Sequence, residues 1–99
     1  MRYSYRLSRE AENDIFESYV RYENQQKGLG ERFLLVLDEA RVAILVNPIT
    51  YRVIFKKKIR AYHLTNFPFS IYYHVDGNDL NILSVFHSAR NLKEWKKRT

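Results

Sequence analysis

The feature that most constrains this chain is a change of period near Pro48. Before it, apolar residues recur every three or four positions; after it, they alternate with polar ones. A period of 3.6 buries one stripe of a helix, and a period of two buries one face of a strand, so the two halves require different secondary structure. In the first half, Ala11, Ile15, Tyr19 and Tyr22 form one stripe. Leu29, Phe33, Leu37, Ala40 and Ile44 form a second, widened by Leu34, Val36 and Leu45. Lys27-Gly28-Leu29-Gly30 interrupts the helix between them. Asn47-Pro48 ends the second stripe, because proline disfavours helical geometry in the residue before it. The pattern predicts an antiparallel helical hairpin over residues 8–46. Ser8 stands where an N-cap hydroxyl takes a free N–H of the first turn, and Glu10, Glu12 and Asp14 suit the positive end of the helix dipole.

Strands account for most of the rest. Residues 3–7 alternate large apolar with polar side chains and predict a short half-buried strand. Residues 59–64 and 69–75 predict two more, the second with Ile71, Tyr73 and Val75 on one face and Ser70, Tyr72 and His74 on the other. Asp76-Gly77-Asn78-Asp79 is a hairpin turn, since Gly and Asn tolerate positive φ, and residues 80–87 return antiparallel. Residues 91–98 predict a short terminal helix. The order β-α-α-β-β-β-α defines an α+β fold: an N-terminal strand, a helical hairpin packed on a three- to four-stranded antiparallel sheet, and a short C-terminal helix. Ninety-nine residues support one domain, residues 1–99, because two would each be too small to bury a core.

Several function classes are disfavoured. The chain has no cysteine, so disulfide frameworks and thiolate zinc sites are excluded. His63, His74 and His87 fall on expected strands without a ligand partner at helical spacing, so no metal and no cofactor are expected. No glycine-rich phosphate loop occurs, and Ser84 and Ser88 lack the surroundings of a nucleophile elbow. The longest apolar runs are five residues, whereas about 20 are needed to span a bilayer, so a soluble cytoplasmic protein without membrane contact is expected.

Charge is distributed unevenly. Residues 51–99 carry ten Lys and Arg against three Asp and Glu, while residues 1–50 are nearly balanced. Such asymmetry points to a polyanionic or acidic partner met by one face. Lys56, Lys57 and Lys58 with Arg60 place four cations in five positions, where mutual repulsion favours a bound anion or acidic surface. Lysines guarding an exposed sheet edge explain the same run equally well. Val85-Phe86-His87-Ser88-Ala89-Arg90 sets an imidazole and a guanidinium at the exit of a buried strand. Arg90 suits bidentate binding of phosphate or carboxylate, and His87 suits hydrogen bonding or acid–base work. A purely structural alternative pairs Arg90 with Glu94 and packs Trp95 down.

The helical hairpin, Ile59-Arg60, Phe67-Pro68-Phe69-Ser70-Ile71-Tyr72-Tyr73, Ile82-Leu83-Ser84-Val85-Phe86-His87-Ser88-Ala89-Arg90, and the closing Trp95 and Arg98 together resemble the RelE/ParE superfamily of type II toxins, also described as plasmid stabilisation proteins. The resemblance runs over essentially the whole chain. Its ribonuclease branch cleaves mRNA on the ribosome without metal and carries an Arg in the middle strand. Here that position is Ser70 and the late aromatic is Trp95, so the nuclease set is incomplete. The ParE-like branch, which poisons DNA gyrase, carries the Phe-Pro-aromatic strand and His-x-x-Arg close seen here. The resemblance thus implies a toxin acting on gyrase and neutralised by a cognate antitoxin, with Lys56, Lys57, Lys58, Arg60, His87 and Arg90 meeting the target. Alternative readings are a ribosome-dependent mRNA endoribonuclease using His87 and Arg90, and a non-toxic nucleic-acid-binding module. No residue pattern sets an oligomeric state.

Overall fold

A computed structural model describes residues 3–56 and 58–87. Lys57, Arg90, Trp95 and the helix expected over residues 91–98 lie outside the described residues. The described elements run β1 (Ser4–Leu7), α1 (Arg9–Gln25), α2 (Leu29–Val46), β2 (Val53–Phe55), β3 (Ile59–His63), β4 (Phe69–Asp76) and β5 (Asp79–His87). The α+β class and the helical hairpin follow the sequence reading. The sheet is larger than expected: five strands in the order β1-β5-β4-β3-β2, with β1 parallel to β5 and the other neighbours antiparallel.

Local chemistry explains the helix ends. The Ser8 hydroxyl accepts the Ala11 N–H at 2.9 Å and donates to the Leu83 carbonyl at 2.8 Å, so one side chain caps α1 and ties it to β5. At the other end the Gln26 N–H donates to the Tyr22 carbonyl. Gly28 then turns the chain with φ +88°, a conformation that favours glycine. The α2 amide donors that the turn leaves open find a carboxylate: Glu23 accepts from Gly28 N at 2.9 Å and Gly30 N at 3.0 Å. A negative group at a helix N-terminus is favoured by the helix dipole as well. Gly30 is a close approach, for a Cβ there would lie 2.8 Å from the Tyr19 ring and carbonyl.

The main core lies between the hairpin and one face of the sheet. Ala11 from α1, Phe33, Leu37, Ala40 and Ile44 from α2, and Ile71, Tyr73, Leu80, Ile82 and Val85 from the sheet are all buried there. Tyr22, Phe33, Phe67 and Phe69 meet at its heart, with ring centroids 5.1 to 6.0 Å apart. Such tilted and edge-on contacts add to the area buried. Leu34, placed on the α2 stripe by its spacing, is exposed instead.

A bulge in β5 governs which residues reach this core. Tyr72 pairs with Ser84 but Tyr73 pairs with Ile82, so Leu83 is an extra residue on β5. The extra residue lets Ile82 and Val85 both join the main core while Leu83 packs against the opposite face with Ile59, Ala61 and Tyr72. Helix α1 serves the polar groups around the bulge. The Val85 N–H donates to the Asp14 carboxylate at 3.0 Å, and the Leu83 carbonyl takes the Ser8 hydroxyl.

The α2–β2 connection is fastened by side chains of the sheet. The Tyr73 phenol donates to the Pro48 carbonyl at 2.7 Å, and Arg60 donates to the carbonyls of Ile49 at 3.0 Å and Tyr51 at 2.6 Å. Burial raises the Tyr73 pKa well above 10.0, so the phenol stays protonated and able to donate. No helix among the described residues is long and apolar enough to cross a membrane.

Candidate functional site

Among the described residues, those singled out by the sequence, Lys56, Lys58, Arg60 and His87, do not converge. Lys56 and Lys58 are exposed in the turn between β2 and β3, with Lys56 at φ +50° and its ammonium 5.2 Å from the Phe55 ring centroid. This turn sits where β3 begins. His87 ends β5 and pairs with Phe69, the first residue of β4. Arg60 pairs with Tyr73, four positions further along β4. At roughly 3.3 Å per residue and 4.8 Å per strand, the lysine turn and His87 stand about 13 Å or more apart along the strands and about 10 Å across them. Arg60 is engaged with the Ile49 and Tyr51 carbonyls, which gives it a structural duty at the base of the lysine turn.

His87 lies on the helix-facing side of the sheet. Its ring meets the Phe69 ring edge-on at 5.4 Å, and it shares a narrow crevice with Asp14, Glu17, Ser18 and Arg21 of α1. Strand β5 and helix α1 therefore deliver the imidazole to a polar, charged setting at the exit of the sheet. That setting suits hydrogen bonding or proton transfer.

A second constellation escaped the sequence reading. On the opposite face of the sheet, His63 pairs with Ser70 across β3 and β4. The Ser70 hydroxyl is fully buried and bonds His63 Nδ1 at 2.5 Å, and it also hydrogen-bonds the Tyr72 phenol. Burial raises the Tyr72 pKa, and the Ser70 hydrogen bond partly offsets that rise. His63 and Tyr72 border a cavity of about 830 Å³ at the β2 edge, also lined by Tyr51, Arg52 and Tyr62, with Ser70 behind them. The alternation of β4 gave the face of Ser70 and Tyr72, but the partner His63 depends on a cross-strand register that no local pattern specifies.

The hairpin carries a different kind of surface. Phe16 and Leu35 are about two-thirds exposed, and Val20, Leu34 and Val42 of the same two helices are exposed as well. Between the two helices, Leu7, Ile15, Phe16, Tyr19 and Leu34, with Glu12, line a mainly apolar groove of about 380 Å³. Exposed apolar surface grouped in this way marks an interaction site more often than chance.

Comparison with known proteins decides the family. The family model for the ParE toxin of the type II toxin–antitoxin system parDE matches residues 5–92. The chain belongs to the ParE toxin family. A solved structure described as the chromosomal ParDE toxin–antitoxin system from P. aeruginosa superposes with a TM-score of 0.77 at 19% identity, over 86% of this chain and 95% of that one. At that identity the likeness bears on the fold, and it confirms the helical hairpin on the sheet. A search of curated proteins finds no match. Membership of the ParE family makes this chain a type II toxin.

Proposed function

We propose that this ParE-family toxin inhibits growth by poisoning DNA gyrase and is neutralised by a cognate antitoxin. The observation that carries the choice of target is position 70. There the ribonuclease branch of the superfamily places a cation to stabilise charge on phosphorus. Here the residue is a serine, fully buried and committed to His63 and Tyr72. A buried hydroxyl held by two neighbours supplies no positive charge to a scissile phosphate. Gyrase poisoning needs no bond-making by the toxin itself, so the missing guanidinium is no defect for it. The exposed Lys56 and Lys58 together with Lys57 and Arg90 form the basic groups offered to the target. Purified toxin should inhibit supercoiling by purified gyrase at near-stoichiometric ratios. Unimpaired supercoiling, with mRNA cut in a translation extract, assigns the protein to the ribonuclease class instead.

The antitoxin contact follows from the apolar groove and the charge balance. Phe16, Leu34 and Leu35 offer an apolar face to an amphipathic segment, and the net charge of +6 favours an acidic one. Such a segment orders on binding and so responds to proteolysis of the free antitoxin. Inducible expression of the toxin alone should arrest growth, and co-expression with the adjacent open reading frame should restore it. Expression without any growth defect, combined with salt-dependent DNA binding, supports a nucleic-acid-binding module in its place.

A further inference from the structure

The cavity at the β2 edge has a composition of its own, unrelated to the gyrase reading. Its volume of about 830 Å³ falls within the usual range for small-molecule sites. Its walls hold three phenols, from Tyr51, Tyr62 and Tyr72, an imidazole, from His63, and a guanidinium, from Arg52. Among the described residues no carboxylate lines it, and no salt bridge joins Arg52 to an acidic group. Tyr51 and Tyr62 brace each other edge-on, with centroids 4.9 Å apart. His63 is oriented from behind, because the buried Ser70 hydroxyl occupies its Nδ1 and leaves Nε2 for a ligand.

We propose that this cavity binds a nucleotide, with Arg52 holding the phosphate, the tyrosine walls receiving the base and His63 Nε2 supplying a further hydrogen bond. Each part of the ligand answers one part of the wall. An unneutralised guanidinium without a competing acid selects an anion, and its planar fork matches phosphate oxygens. Aromatic walls select a flat ring, which stacks with little dependence on its identity. The volume accommodates both groups together, whereas inorganic phosphate alone would leave the aromatic walls unused. Ser70 is a positioning residue: it touches no ligand and acts by fixing the His63 ring.

The test is calorimetric titration of the purified full-length chain with the four ribonucleoside 5′-monophosphates, with the matching nucleosides and with inorganic phosphate. At least one monophosphate should bind saturably with one site per chain. The corresponding nucleoside and inorganic phosphate should each bind at least tenfold more weakly. Arg52→Ala, at an exposed position, should fold normally and weaken the monophosphate at least tenfold. Ser70→Ala should weaken it several-fold, and should add nothing further in the His63→Ala background. A tetranucleotide titrated alongside identifies the source. Tighter binding than the monophosphate, lost in Arg52→Ala, indicates a nucleotide within a strand, and weaker binding indicates the free nucleotide. Absence of saturable monophosphate binding at millimolar concentration overturns the proposal. So does unchanged affinity in Arg52→Ala, or inorganic phosphate binding as tightly as the nucleotide.

Discussion

A serine hydroxyl and a guanidinium make different demands at position 70. The guanidinium needs solvent or an anion, because burying it unpaired costs several kcal/mol. The hydroxyl is satisfied inside the sheet by His63 and Tyr72, where its exposure is 0%. The same logic bears on Arg90 and His87. If they engage the target, Arg90→Ala should abolish growth inhibition and His87→Ala should reduce it, with melting temperatures nearly unchanged. An Arg90→Ala protein that unfolds, or that stays fully toxic, removes Arg90 from the target surface. Glu23 is a contrasting residue, because its two hydrogen bonds close the hairpin link. Glu23→Ala should lower stability by about 1–3 kcal/mol, the usual cost of stranding such donors, as measured by urea unfolding. An unchanged unfolding midpoint contradicts that account of the turn. Glu23 is four residues N-terminal to Lys27, a spacing that reads equally well as a helical ion pair, so its capping duty was not visible beforehand.

At the scale of elements, the long periodic ones were legible and the short non-local ones were not. The stripes of α1 and α2 and the alternation of β4 each repeat a local signal several times over. Strand β2 is only three residues, Val53–Phe55, without alternation. It exists because Val53 pairs with Arg60 and the Ala61 N–H reaches the Arg52 carbonyl. The bulge at Leu83 and the parallel pairing of β1 with β5 likewise depend on partners about 75 residues away, Ser8 for the bulge and residues 79–82 for β1. Tyr73 shows how such long contacts set stability. Its raised pKa means that folding favours the neutral phenol. Its contribution is therefore intact below the unfolded value of about 10 and is lost as pH rises beyond it. The melting temperature should fall steeply above that pH, and Tyr73→Phe should make the fall shallower. At neutral pH Tyr73→Phe should cost about 1–3 kcal/mol, since the Pro48 carbonyl loses its donor. Equal alkaline slopes in the two proteins contradict this reading.

Among the described residues, the hairpin with its apolar groove, the basic turn at one end of the sheet, His87 at the other and the cavity at the β2 edge are separate surfaces. This separation lets an antitoxin cover the hairpin without touching the lysine turn. Phe16→Asp with Leu35→Asp should weaken antitoxin binding at least a hundredfold while leaving toxicity of the free chain intact, as read by co-purification and growth. Loss of toxicity with retained antitoxin binding reverses the assignment of that face. Gyrase poisoning is tested most directly by incubating purified toxin with gyrase, supercoiled plasmid and ATP, then trapping with detergent and protease. Linear DNA should accumulate with toxin concentration and disappear with Arg90→Ala. Plasmid that stays uncut at a tenfold molar excess of toxin, while the same preparation cleaves mRNA in a translation extract, would contradict gyrase poisoning.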